Sequence, residues 1–463
     1  MLRIPVLSLA SLALFCSVIC AQTDPAITSW LVNRDGARGQ STDSRIHAIV
    51  SQIPANVTRV QYNATDAFVE STGIPSYPIG PWGRNPNTPS NQNFKFRIPR
   101  SPQKQNGNNT LTGLGPIGVL VNGVVFFNPT DARSYNNQRI WWEDAIPVIG
   151  KNNGWDKALG HPAPRGDYHH HQRPELLLRD LCDNSHRHSP LIGFASDGFP
   201  VYGPYGFVNT NGSGGVKRMN SSYRLRNMTT RTSLPNGPPL PPSQHGPPVS
   251  SQYPLGIYSQ DYIYVKGAGD LDEFNGRVCV TPEYPNGTFA YFATIDAKGD
   301  SAFPYFVGMS YYGVFVAENR RGQARIPSGL TLYQGGSISC YGSGCSASKP
   351  LALSYSGIAG VGLKLNVDLS NGPASGNGWV ALGIKSASTN LSILNMPGCY
   401  LYQSLELPVG ISFSGGQASL GLAIPNKSNL SGHSFFTQGF ALDPSANGCG
   451  VTTSNGGKVI VGG

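Results

Sequence analysis

Short runs of alternating apolar and polar residues recur along the chain, and most are bounded by glycine, proline or asparagine. Alternation is clear at residues 57–62 and 93–98, and apolar runs cover residues 117–127 and 288–293. A period of two is typical of strands, whereas a helix needs a period near 3.6. The best helical candidate is residues 174–181, which begin with a proline at an acceptable first-turn position. The pattern predicts a mainly β protein.

Composition changes near residue 330 and suggests two domains. From there to the end the chain has five lysines, no arginine and three acidic residues, with short apolar stretches between serine and glycine turns. Such spacing is typical of a small β-sandwich. We therefore expect a large β-rich domain over residues 22–329 and a Gly/Ser-rich β-sandwich module over residues 330–463. The module contains only His433 among the histidines, so we expect a structural or surface-attachment role for it.

The first 21 residues have the pattern of a secretory signal peptide. Arg3 precedes an apolar run over residues 4–20, and small residues follow around Ala21. No later segment offers the 18 unbroken apolar residues of a membrane helix. We expect a protein without a membrane span that is secreted to the extracellular space or the cell surface.

Cysteine content agrees with export. Removal of residues 1–21 leaves six cysteines, and an even number in an exported chain predicts disulfides. We expect Cys182 to pair with Cys279 in the first domain. Two further bridges, with three possible connectivities, are expected among the remaining four, which are Cys340, Cys345, Cys399 and Cys449.

Charge and motifs exclude several classes of function. The formal net charge is +9, but the basic residues are dispersed, whereas nucleic-acid binding needs a clustered basic face. We expect no nucleic-acid partner, and a small molecule, a glycan or a surface protein remain open as partners. The chain has no GxSxG, Walker, HExxH or EF-hand motif, which argues against serine hydrolases, nucleotide binding, zincins and calcium loops.

Histidines are concentrated in one segment. Six of the nine lie between His161 and His188, and three are consecutive in the stretch DYHHHQ at residues 167–172. In an extended strand Asp167, His169 and His171 share one face, while Tyr168 and His170 take the other. Two imidazoles spaced in this way can bind one ion. A second pair of histidines follows fifteen residues later, and the stretch between the pairs is long enough to fold back.

Imidazole and carboxylate without thiolate suit copper or zinc better than iron, manganese or nickel. The candidate ligands are His169 and His171, assisted by some of Asp167, His161, His186 and His188. Two alternatives stay open: the histidines brace loops by donating to backbone carbonyls, or one of them acts as a catalyst without metal.

Three acidic residues elsewhere are weaker candidates. Asp197, in the turn-like stretch SDGFP, is placed to orient an imidazole or to cap a turn. Asp272 and Glu273 precede an Asn-Gly pair and are candidates for acid/base or oxygen-ligand roles, although turn and surface roles are favoured.

Three motifs make the chain resemble the YHYH-domain family of secreted proteins. They are GHPAPRGDYHHH at residues 160–171, HSPLIGFASDGFPVYGPYGF at 188–207 and LDEFNGRVCVTPEYPNGTFAYFATID at 271–296. The family's Tyr-His-x-His pattern falls on Tyr168, His169 and His171. The resemblance spans most of residues 50–315 and implies no particular activity. The tail from about residue 337 is also similar to C-terminal β modules of exported bacterial proteins.

The chain departs from the family pattern in two places. His170 replaces the family's second aromatic residue, and the later strand at residues 289–292 contains no histidine. A ligand set that draws on that strand is therefore absent, and only the first cluster is left to carry a site. We expect an extracellular metal-binding protein, with an open question of catalysis. The alternative is a surface or matrix interaction protein in which the histidines are structural.

Overall fold

A computed structural model describes residues 24–345 and 349–463. The predicted signal peptide lies outside the described residues. Strands greatly outnumber helices in the described ranges, which confirms the mainly β fold class. No helix in those ranges is long and apolar enough to cross a membrane.

The helices are short, and three of them begin after an aspartate whose side chain accepts a backbone N–H of the first turn. They are α1 (Pro25–Thr28), α2 (Ser44–Val50), α3 (Ala145–Gly150) and α4 (Glu175–Asp180). Helix α4 is the one predicted from the spacing of residues 174–181.

The strands of the first part of the chain are mostly three to six residues long. They are β1 (Gln40–Ser41), β2 (Val57–Tyr62), β3 (Asp66–Ser71), β4 (Pro78–Ile79), β5 (Phe94–Pro99), β6 (Pro116–Leu120), β7 (Val125–Phe127), β8 (Thr130–Ser134), β9 (Trp142–Asp144), β10 (Gly160–Pro162), β11 (Tyr168–His170), β12 (Leu191–Ala195), β13 (Pro200–Tyr202), β14 (Tyr205–Phe207), β15 (Val216–Arg218), β16 (Tyr223–Leu225), β17 (Tyr262–Tyr264), β18 (Gly276–Cys279) and β19 (Thr288–Phe292).

The remaining strands, most of them longer, follow toward the C-terminus. They are β20 (Thr331–Leu332), β21 (Ser337–Tyr341), β22 (Ala352–Gly357), β23 (Lys364–Ser370), β24 (Ser375–Gly383), β25 (Ser386–Asn390), β26 (Tyr400–Gln403), β27 (Leu407–Ser414), β28 (Ala418–Ala423), β29 (Ser434–Leu442) and β30 (Val451–Ile460).

The largest sheet has eight strands in the order β10-β11-β7-β6-β12-β13-β19-β18. Strand β11 runs parallel to β7 and β13 runs parallel to β19, while the other neighbours are antiparallel. Its central strands β6, β12 and β13 are buried along their whole length, as the apolar sequence requires. A second sheet, β20-β2-β3-β5, shares the same core.

The apolar run at residues 117–127 is divided between the two strands β6 and β7. Asn122 and Gly123 form the turn of a hairpin between β6 and β7, with Gly123 at φ +80°. An Asn-Gly pair between apolar runs is a strong hairpin signal, because glycine adopts this left-handed conformation without a side-chain clash. The hairpin fixes β7 beside β11, next to the histidine segment.

The C-terminal part packs one sheet on another. A five-stranded sheet, β21-β30-β29-β24-β27, and a three-stranded sheet, β22-β23-β28, meet through a common buried core. The contributing side chains include Leu353, Val367 and Leu369 from the smaller sheet and Val380 and Phe413 from the larger. This is the arrangement of a β-sandwich.

The predicted bridge between Cys182 and Cys279 is wrong. Cys182, just after α4, is bonded to Cys340 of β21, and Cys345 is bonded to Cys399. In the described part of the chain Cys279 and Cys449 are free, so the prediction of two bridges among the last four cysteines is wrong as well: one forms there. The larger bridge joins residues 158 positions apart and ties the strand-rich C-terminal part to the histidine-containing part. Such a pairing depends on contacts between distant elements, which cysteine spacing does not encode.

Candidate metal centre

Strands β10 and β11 form a hairpin at the edge of the eight-stranded sheet, and this hairpin assembles the histidine site. Their antiparallel register places His161 directly opposite His169. His171 follows β11 and lies on the same side as His169, as strand alternation predicts. One ring nitrogen from each of the three histidines lies within 4.8 Å of the others. In the described residues this is the one convergent group of three or more His, Cys, Asp or Glu side chains.

Gly166 makes the turn of this hairpin possible. Its φ is +84°, and a β carbon at this position would contact Ser90 Oγ and lie 2.9 Å from the carbonyl oxygen of Thr88. We expect Gly166→Ala to lower the free energy of unfolding by about 1–3 kcal/mol, because backbone strain adds to the steric overlap. Urea denaturation measures this loss. Gly36→Ala is the matched control, since Gly36 has φ +72° and nothing within 4 Å of a β carbon, and its smaller loss isolates the strain. Equal losses in the two variants would show that the close contacts with Ser90 and Thr88 do not constrain position 166.

Two backbone carbonyls determine which nitrogens of the histidines carry protons. His169 Nδ1 lies 2.9 Å from the carbonyl oxygen of Asp167, and His171 Nδ1 lies 2.7 Å from that of Asn128. A carbonyl oxygen only accepts, so each Nδ1 donates and each neutral ring has its lone pair on Nε2. The two Nε2 atoms are 3.1 Å apart. Two acceptors thus face each other at hydrogen-bond distance without a proton between them.

The surroundings keep these rings uncharged. Burial lowers the pKa of His171 to about 4, and burial together with the neighbouring histidines lowers the pKa of His161 and of His169 well below 6.5. Phe127 stacks on the His169 ring at 3.9 Å between ring centroids, and Trp155 contacts His161 edge-on at 4.8 Å. The rings are neutral at pH 7 and therefore present lone pairs.

The three histidines form part of the wall of an open cavity of about 470 Å³. Its other walls include Phe127, Thr130, Asp131 and the exposed side chain of Arg133. An ion held by the histidines would have a coordination position available on the side of this cavity. A cluster of three neutral imidazoles beside a cavity could hold a transition metal.

The other predicted ligands lie apart from this cluster. The Asp167 carboxylate is directed to Arg165, with 3.7 Å between Oδ2 and Nη2, and only its backbone carbonyl serves the site. His186 is exposed, and His188 is buried between Tyr202 and Phe207 beside a separate cavity of about 600 Å³. The structure thus brings together His161, His169 and His171, and it separates them from Asp167, His186 and His188.

The three acidic candidates outside the segment have local partners. Asp197 accepts hydrogen bonds from the Tyr291 hydroxyl and from the backbone of Gly313 and Phe199. The Asp272 carboxylate accepts hydrogen bonds from the backbone N–H groups of Phe274 and Gly276, as a turn-capping aspartate does. The backbone carbonyl of Glu273 accepts a hydrogen bond from the Tyr223 hydroxyl.

His170 points to the opposite side of β11 and has a structural role. Its Nε2 lies 3.1 Å from the Tyr77 hydroxyl and its Nδ1 lies 3.2 Å from the Leu159 carbonyl oxygen, and the ring is fully buried. We expect His170→Ala to lower the free energy of unfolding by about 1–3 kcal/mol, because it leaves a cavity and unpaired partners. Denaturant unfolding tests this loss, and metal content is expected to stay unchanged. If His170→Ala lowered the metal content and left the stability unchanged, the structural role assigned to His170 would be wrong.

The sequence did not predict the groups that orient the histidine rings. The carbonyl of Asn128 and the rings of Phe127 and Trp155 become part of the site through the parallel pairing of β7 with β11 and through the loop before β10. A backbone acceptor has no sequence signal of its own. Trp155 and His161 are near in the sequence, but no periodicity links them.

These observations define a mainly β protein with a buried histidine cluster at the edge of its largest sheet. A family model described as YHYH protein matches residues 95–302, a range that contains all three histidines. The segment is therefore a YHYH domain, and the family resemblance is confirmed. No curated protein and no solved structure matches the chain.

Proposed function

We propose that the protein binds one transition-metal ion, copper or zinc, through His161, His169 and His171. The observation that supports this most is the approach of two Nε2 lone pairs to 3.1 Å. Two acceptors at this distance repel each other, and a cation between them would convert the repulsion into two bonds. Protonation of one ring would have the same effect, but burial opposes the charged form.

The distance between the nitrogens also fits a shared ion. Two ligands bound at about 2.0–2.1 Å with an angle of about 90–110° have nitrogens roughly 3 Å apart. The buried Nε2 of His161 has no hydrogen-bond partner. Nε2 of His188 is also buried and unpaired, but only that of His161 converges with two other imidazoles, and this convergence favours a ligand role.

The chemistry of the ligands favours copper and zinc. Imidazole nitrogen binds both ions, and Cu²⁺ binds such ligands more tightly than the other divalent ions of the first row. Three protein ligands leave a position open on the side of the cavity, an arrangement typical of metal ions that act as Lewis acids. The chain's own groups would supply orientation: the carbonyls of Asp167 and Asn128 hold two of the rings, and Phe127 limits their rotation.

We further infer that the protein works outside the cell. The N-terminal pattern of residues 1–21 and the two disulfides support this inference, because disulfides persist in oxidising compartments.

Metal analysis of the purified protein tests the proposal. After dialysis against zinc or copper, we expect about one ion per chain for the unaltered protein. The double variant His169→Ala, His171→Ala is expected to retain little metal, while His186→Ala, which alters the exposed histidine, retains it. Equal substoichiometric metal in the unaltered protein and the double variant would contradict the proposal. It would favour instead an extracellular interaction protein in which the histidines are structural.

A further inference from the structure

A two-stranded ribbon away from the histidine cluster carries three tyrosines on one face. Strands β16 and β17 pair antiparallel, with Tyr223 opposite Tyr264 and Leu225 opposite Tyr262. Directly opposed residues, and residues two apart on one strand, share a face of a ribbon. The aromatic side chains of this ribbon therefore form a continuous strip.

Contacts with Phe303 make part of this strip rigid. The Tyr262 ring stacks on Phe303 with 4.1 Å between centroids and 2° between planes, and Tyr223 meets the same ring edge-on at 5.3 Å. Tyr264 lies at the end of the strip and contacts Tyr223 at 6.0 Å. Rigid aromatic rings bind with little loss of conformational entropy, because few torsions remain to be fixed.

The strip is one wall of an open groove of about 760 Å³. A second wall comes from Leu234, Pro235 and Asn236, at the start of the proline-rich stretch. Leu111 and Met309 form the third, and Leu111 is 73% exposed. Three separate parts of the chain thus meet around a groove that has aromatic and apolar walls.

The polar groups of the groove indicate what kind of ligand it takes. Lys266 and Glu273 contribute one charge of each sign, so the groove does not select a charged ligand. Ser259 also lines it, is only 3% exposed, and its buried hydroxyl has no hydrogen-bond partner. This hydroxyl in the wall of the groove is unpaired within the protein and is therefore free to hydrogen-bond a bound ligand.

We infer that this groove binds a neutral oligosaccharide. A pyranose ring has apolar C–H faces that pack on tyrosine rings, and its hydroxyls both donate and accept hydrogen bonds. The groove offers both kinds of contact: tyrosine rings for the C–H faces, and amide, hydroxyl and oppositely charged side chains for the hydroxyls. The inference is independent of the proposed metal site, because the groove shares no lining residue with the histidine cavity.

Calorimetric titration of the full chain tests the inference. The protein is first treated with a chelator, so that failure of metal binding does not affect the result. The probes are cellohexaose, laminarihexaose, chitohexaose and maltohexaose, with a heparin oligosaccharide as the anionic comparison. We expect binding of at least one neutral hexasaccharide, and a Kd about tenfold weaker for Tyr264→Ala, because one stacking ring is removed.

Two further variants control for folding and for general effects of tyrosine removal. Tyr264→Phe keeps the ring and is expected to bind within about twofold of the unaltered protein, since the face of the ring makes the contact. Tyr400→Ala alters a half-buried tyrosine in the C-terminal part and is expected to leave the Kd unchanged. Absence of binding for all four neutral probes, unchanged binding by a folded Tyr264→Ala protein, or tighter binding of the heparin oligosaccharide would each overturn the inference.

Discussion

Saturating zinc is expected to raise the free energy of unfolding of the chelator-treated protein by about 4 kcal/mol when free zinc reaches roughly a thousand times its Kd. The folded chain holds three neutral imidazoles together, with Nε2 of His169 and of His171 only 3.1 Å apart. The unfolded chain separates His161 from the other two and binds zinc more weakly. An ion bound by these three histidines would therefore stabilise the folded state selectively.

Denaturant unfolding with and without zinc measures this difference. His161→Ala tests the hairpin specifically, because it removes the proposed ligand that only the register of β10 and β11 supplies. We expect this variant to lose most of the stabilisation by zinc, and His186→Ala to keep it. A zinc effect of equal size in His161→Ala would show that the ion binds elsewhere.

Replacement of Arg231 by methionine is expected to lower the free energy of unfolding by about 3–5 kcal/mol, the usual effect of breaking a fully buried ion pair. Arg231 and Asp261 are both 0% exposed, and two parallel hydrogen bonds of 2.7 Å join them. The guanidinium also donates to the carbonyls of Pro247 and Pro254, so it fastens the proline-rich stretch to the body of the domain. The variant leaves the Asp261 carboxylate buried without its partner.

Urea unfolding of three variants separates the contributions. Lys217→Met breaks the more exposed pair with Asp270 and is expected to reduce stability by less than about 1 kcal/mol. The double variant Arg231→Met, Asp261→Leu removes both charges and is expected to recover part of the loss, because no charge stays buried alone. If Arg231→Met were no more destabilising than Lys217→Met, the buried pair would not be a major contribution to stability.

Local patterns predicted the mainly β fold class and several of its elements. Alternation located β2 and β5, and the proline before α4 marked a helix. The apolar run at residues 117–127 predicted strand structure, but apolar continuity alone does not locate the hairpin turn inside it, which the Asn-Gly pair provides. The order of strands in the eight-stranded sheet arises from contacts between distant segments, which periodicity does not report.

The candidate site was predictable in part. Alternation places His169 and His171 on one face, and the structure agrees. His161 joins them because the residues between it and His169 form a tight hairpin, a pairing that alternation within one strand does not predict. His186 and His188 have the same spacing as His169 and His171. This spacing predicts only that two side chains share one face of a strand, and it does not predict which cavity they line.

The bridge between Cys182 and Cys340 has a consequence for proteolysis. A single peptide-bond cleavage anywhere between these two residues would leave both fragments covalently attached. Nicked protein would therefore migrate as one species in electrophoresis without reductant and as two species after reduction. Limited digestion in the long proline-rich stretch would reveal this difference, and the C-terminal sandwich would stay attached to the fragment that carries the histidines.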